Sequence, residues 1–204
     1  MSKHHYSYLA LGDSYTIGES VPLHESFPYQ AVQLMRKKGY AFQAPEIIAK
    51  TGWTSFELAE QLLHTQLNDA YDFVSLLIGV NNQYRGLEMD DFKNDFSFLL
   101  KKAIHLCGQN PAHVFVLSIP DWGCTPFAKG KDAKTISKEI DAFNQICVEE
   151  TRMQQPSFIA ITEESRKAVN DKTLLAKDGL HYSAKAHAVW AEKLAGMMQG
   201  ILHG

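Results

Sequence analysis

Continuous apolar runs alternate along the chain with segments in which apolar residues recur every three or four positions. The runs at 6–11, 46–49, 73–78, 113–119 and 158–161 predict strands, the first four closed by Gly12, Thr51-Gly52, Gly79 and Pro120. Most are apolar throughout rather than alternating, as expected where helices cover both faces of a parallel sheet. Between them, helical spacing marks residues 26–38, 55–68, 90–106, 134–151 and 184–199. In the last of these, Ala186, Trp190, Leu194 and Met197 form an apolar stripe, with Ser183 placed as N-cap. Strand and helix in strict alternation predict a three-layer α/β/α sandwich: a five-stranded parallel sheet in flavodoxin-like order. No repeat, low-complexity tract or Pro/Gly-rich linker interrupts the rhythm, so a single domain over residues 1–204 is expected.

The composition suits a packed core, with 204 residues of which 45% are hydrophobic and 21% charged. Lys plus Arg number 20 against 23 Asp plus Glu, a net charge of -3. That balance lacks the basic footprint of a nucleic-acid binder and fits a small, roughly neutral ligand. Cys107, Cys124 and Cys147 are odd in number and contain no close pair, which argues against a disulfide framework and against a zinc ribbon; no metal is expected. The N-terminal apolar run is too short and aromatic for a signal segment, and no stretch approaches the roughly 20 apolar residues of a membrane span. A cytoplasmic protein without a membrane span is the expectation. Oligomeric state leaves no mark in the sequence.

In an open parallel sheet, ligands bind beyond the carboxyl ends of the strands. The residues there are Gly12-Asp13-Ser14 after the first strand, Thr51-Gly52 after the second, and Gly79-Val80-Asn81 after the third. Beyond the fifth, after a helical stretch, comes Asp178-Gly179-Leu180-His181. A serine hydroxyl becomes a good nucleophile when an imidazole accepts its proton, and that imidazole works best when a carboxylate holds its other nitrogen. The spacing of Asp178 and His181, with Gly179 permitting a tight turn, lets the carboxylate reach Nδ1 and leaves Nε2 for Ser14. The backbone N–H groups of Ser14 and Gly52 and the side-chain amide of Asn81 supply donors for an oxyanion. No cofactor is required by this chemistry.

This ordered set resembles the SGNH hydrolase superfamily, also called GDSL esterases and lipases, whose blocks supply a serine, a glycine, an asparagine and a histidine in that order. The matching blocks here are Gly12-Asp13-Ser14, Gly52 within TGWTS, Gly79-Val80-Asn81, and Asp178-Gly179-Leu180-His181. The resemblance implies Ser14 as nucleophile, Gly52 and Asn81 completing the oxyanion hole, His181 as base and Asp178 as its orienting acid. It also implies a flavodoxin-like sandwich and a carboxylic ester as substrate. Two positions depart from the family pattern: Tyr15 stands where leucine often follows the serine, and Asn82 where an acid commonly follows the asparagine. Both are expected to bear on substrate choice. Tyr84, Trp122 and Phe127 lie on the loops after the third and fourth strands and are candidates for the pocket wall.

Each residue has a plainer reading. Gly-Asp-Ser triplets commonly mark turns, and Asn81, Gly52 and Gly79 can serve as turn residues or strand terminators. Asp13 reads as a backbone-bonding residue rather than a second acid. His187 has no acidic residue three positions earlier and reads as a packing or surface residue. Three functions follow: a serine esterase acting on carboxylic, short-chain acyl esters through an acyl-enzyme; a lysophospholipase or thioesterase of the same fold; or a non-catalytic domain binding a small ligand or carbohydrate.

Overall fold

The computed structural model describes residues 4–203. The chain begins with β1 (Tyr8–Gly12), turns through the one-turn helix α1 (Ser14–Ile17), and continues into α2 (Phe27–Lys37) and β2 (Glu46–Ala49). It then forms α3 (Ser55–His64), β3 (Phe73–Leu77), the short α4 (Val80–Tyr84), the long α5 (Met89–Leu106) and β4 (Val114–Leu117). The last part is α6 (Ala133–Gln154), β5 (Ser157–Ile159), α7 (Thr162–Arg166) and α8 (Ala184–His203).

The five strands are all parallel, in the order β2-β1-β3-β4-β5. Leu9 pairs with Glu46 on one side and Val74 on the other, so the chain reverses direction across the sheet at β1. Such a switch point opens a crevice at the carboxyl ends of the strands flanking it. Helix α2 packs on α8, while α5 packs on both α3 and α6. This is the α/β/α architecture expected from the sequence.

Burial explains why the strands differ in legibility. Every residue of β1, β3 and β4 is buried, whereas β2 and most of β5, at the sheet edges, are only half-buried. Leu9, Leu11, Val74, Leu76 and Phe115 are wholly inaccessible, and each such side chain contributes about 1.5–3 kcal/mol by leaving water. Tyr8 and Ser75 share a buried 2.6 Å hydrogen bond between neighbouring strands, so these two hydroxyls are satisfied within the sheet.

Several boundaries differ from the sequence reading. Tyr6 makes only an isolated bridge with Phe42, so β1 starts two residues later. Residue 113 belongs to a 3-10 turn opened by Pro111, whose ring removes a ladder donor, and β4 starts at Val114. Helix α3 ends at His64 because Thr65 is extended. Ser183 is not a side-chain cap for α8: its hydroxyl donates to the Thr173 carbonyl at 2.7 Å. No helix among the described residues is long and apolar enough to cross a membrane.

Candidate active site

The end of β1 delivers Asp13 and Ser14 to the switch-point crevice. Asp13 is the N-cap of α1, its carboxylate accepting the Tyr15 amide at 3.0 Å. Burial pushes this carboxyl up to about 7, although the Tyr15 N–H bond pulls it down. Asp13 is therefore a fixed part of the backbone turn, as the plainer reading holds. Ser14 is the first residue of α1, where an amide has no intrahelical acceptor and the helix dipole favours negative charge. The residue is 5% exposed and lines a cleft of about 170 Å³.

The loop after β2 brings Gly52 to the same cleft. Its φ of +85° lies in the left-handed region, where a side chain adds strain. The following residues are fixed by a capping box in which Thr54 and Glu57 bond each other's amides at the start of α3. Arg85, at the end of α4, donates from Nη2 to the Gly52 carbonyl and pairs with Glu57 at 3.3 Å. Asn81, on α4, donates from Nδ2 to the Trp53 carbonyl at 2.9 Å. An amide nitrogen has two protons, so one remains for a ligand in the cleft, which Asn81 lines.

His181 reaches the cleft from the loop before α8. Its Nδ1 donates to Asp178 Oδ2 at 2.7 Å, and the other carboxylate oxygen takes the backbone amides of Leu180 and His181, each at 2.9 Å. Gly179, at φ +70°, makes the tight return between the two residues possible. Partial burial raises the Asp178 carboxyl, but hydrogen bonds from Ser20, His181 and the two amides outweigh it and hold the group well below the usual carboxylate range. With Nδ1 occupied, the ring nitrogen left for proton transfer is Nε2. Tyr15 sets its ring edgewise to His181 at 5.9 Å between centroids and rests on Tyr182 and Trp190 beneath.

The cleft wall is aromatic. Tyr84, Trp122 and Phe127 form a cluster with centroid separations of 5.3, 5.9 and 6.2 Å. Trp122 is anchored by Nε1, which donates to Gln83 Oε1 at 2.7 Å, while Gln83 in turn donates to Glu139. Val80 and Leu180 complete the apolar lining.

The sequence profile of the GDSL-like lipase/acylhydrolase family matches residues 10–189, a span containing all the groups around this cleft. The chain belongs to that family, the SGNH hydrolases. It is an esterase-type hydrolase by family. No match is found among curated protein sequences. Among solved structures, the chain is similar to TesA, with 16% identity, a TM-score of 0.74, and coverage of 95% of this chain and 98% of that one. It is also similar to Axe2, an acetylxylan esterase from Geobacillus stearothermophilus, with 16% identity, a TM-score of 0.73, and coverage of 94% and 93%. A third is the psychrotrophic esterase EstA from Pseudoalteromonas sp., described as inhibited by monoethylphosphonate, with 14% identity, a TM-score of 0.71 and coverage of 97% and 99%. At these identities the likeness establishes the SGNH fold.

Of the sequence-predicted site residues, Ser14, Tyr15, Gly52, Asn81, Tyr84, Trp122, Phe127 and His181 all line the cleft, and Asp178 stands behind His181. Asn82 is the exception. Its side chain is 2% exposed and turned away, accepting the Ser55 amide at 2.9 Å and donating to Ser55 Oγ at 2.7 Å. It borders a separate groove between α3 and α5, so it ties α4 to α3 rather than meeting a substrate. His187 is a packing residue: it is 1% exposed, stacked on Phe27, with Nδ1 accepting the Phe27 amide at 3.2 Å. Arg85 and Ser20 escaped the sequence reading. An arginine four residues after Asn81 was the available signal for the first; nothing local marks the second. No cluster of three or more metal-ligating side chains occurs among the described residues.

Proposed function

We propose that the protein is a metal-independent serine esterase that hydrolyses short-chain acyl esters through an acyl-enzyme. The observation that carries this reading is the convergence of Ser14, Gly52, Asn81 and His181 on one cleft, with Asp178 bonded to the histidine. Ser14 Oγ attacks the ester carbonyl while His181 Nε2 takes its proton, and Asp178 stabilises the imidazolium that forms. The negative oxygen of the tetrahedral intermediate accepts hydrogen bonds from the amides of Ser14 and Gly52 and from Asn81 Nδ2. Collapse breaks the bond to the alcohol, which leaves with the proton from His181. Water then repeats the sequence on the acyl-enzyme, releasing the carboxylate and restoring Ser14.

Cleft size supports the short acyl chain. A volume of about 170 Å³ falls below the roughly 300–1,000 Å³ of pockets that enclose drug-sized ligands, and Trp122 stands as a fixed wall held by Gln83. A panel of p-nitrophenyl esters from acetyl to octanoyl, with matched thioesters, tests this. The expected profile has kcat/KM highest at acetyl to butyryl and falling beyond; a maximum at octanoyl contradicts the short-chain reading.

A further inference from the structure

Asp178 accepts a hydrogen bond that the serine–histidine–acid scheme does not need. Ser20 Oγ donates to Asp178 Oδ2 at 2.6 Å, the same oxygen that receives His181 Nδ1. Ser20 holds φ at +68°, one of three non-glycine residues with positive φ among the described residues. A non-glycine residue there is uncommon, and the strain persists where surrounding bonds fix it. Those bonds run to two segments that line the cleft. The Glu19 amide returns to the Ser14 carbonyl at 2.9 Å, and the Glu19 carboxylate accepts the Thr51 hydroxyl beside Gly52. Gly18 closes α1 in the left-handed conformation, packed so tightly that an added Cβ would meet Ser26 at 2.6 Å. Residues 18–20 therefore form a short strap running from the nucleophile turn to Thr51 and to Asp178.

We propose that Ser20 is a positioning residue: its hydroxyl caps the Asp178 carboxylate and thereby holds His181 in line with Ser14. This rests on the triad reading above. The Asp178 side chain is 34% exposed and its Oδ1 is held by two backbone amides, so losing Ser20 loosens the carboxylate at Oδ2, where a mobile water would take the place of the fixed hydroxyl. A hydroxyl fixed by backbone geometry costs no reorganisation during proton transfer.

The test compares wild type with Ser20→Gly and Ser20→Ala in steady-state kinetics on p-nitrophenyl acetate, with thermal unfolding of each. Glycine removes the hydroxyl while accepting the positive φ, so it separates the hydrogen bond from the backbone strain. Both variants are expected to lose about tenfold in kcat with KM within about twofold. Ser20→Gly should unfold no earlier than wild type, so its loss is one of positioning and not of folding. A Ser20→Gly enzyme that keeps wild-type kcat, or that loses kcat/KM through KM instead of kcat, overturns the proposal. If His181→Asn retains turnover, the triad reading itself has failed instead.

Discussion

Asp178 and His181 are joined twice within a four-residue turn: Nδ1 donates to one carboxylate oxygen at 2.7 Å, and the histidine's own amide donates to the other at 2.9 Å. The second bond fixes the acid relative to the backbone that carries the base. Asp178→Asn preserves the shape but offers Nδ1 an amide, allowing the wrong tautomer, and should lower kcat about 10³ to 10⁴-fold. Steady-state kinetics on a short ester checks this; a loss below tenfold would remove the orienting role. Hydrogen bonding holds Asp178 well below the usual carboxylate range, so it stays charged where the enzyme works and an acid limb above pH ~4 belongs to another group.

Asn81 stands between the Trp53 carbonyl and the cleft. Asn81→Ala should lower kcat by roughly 10² to 10³-fold with little change in KM, because an oxyanion donor acts on charge that develops only in the transition state. Equal kcat in the variant and wild type would exclude Asn81 from the oxyanion hole.

How much of this was legible in sequence follows from interaction range and from burial. The central strands stood out as unbroken apolar runs because both faces of β1, β3 and β4 are covered; β2 and β5 read weakly because solvent touches the edges. Helices α1 and α4, of four and five residues, are too short to carry a period and passed as loop. Asp178 and His181 are neighbours in sequence, so their pairing was readable. Ser20 meets Asp178 across 158 residues, and Arg85 meets the Gly52 carbonyl across 33. Only the fold brings those pairs together. Asn82 misled because adjacent helical residues face different directions, and its direction was that of Ser55.

The aromatic wall offers a test of acyl selectivity. Phe127 is 42% exposed and lines the cleft beside Tyr84 and Trp122, so its truncation enlarges the cleft without opening the core. Phe127→Ala should improve the hexanoyl-to-acetyl ratio of kcat/KM by about 5 to 50-fold, on the scale of one or two kcal/mol for added methylene space. An unchanged ratio would show that the acyl chain runs elsewhere.

Acid stability is tied to His187. Burial, then the neighbouring His181, lowers its pKa to about 3, and its Nδ1 must stay unprotonated to accept the Phe27 amide. The unfolded chain takes up this proton below about pH 6.5, while the folded chain does so only near 3. The stabilising contribution is present above pH ~6.5 and is lost as pH falls toward 3, with a slope of about 1.4 kcal/mol per unit. Buried Asp13, whose carboxyl is pushed up to about 7, contributes an opposite slope over the same window, so the His187 slope is read as the difference between wild type and His187→Asn, whose carbonyl keeps an acceptor near the Phe27 amide, in urea unfolding between pH 7 and 4. Parallel curves for the variant and wild type would remove His187 from the acid response.

The most direct measurement of the central claim is peptide mapping after reaction with an activated alkyl phosphonate. The account predicts one covalent adduct per chain, on Ser14, forming at a rate that drops at least 100-fold in His181→Asn and coinciding with loss of esterase activity. Inactivation with the adduct on another residue, or labelling of Ser14 at an unaltered rate without His181, would contradict it.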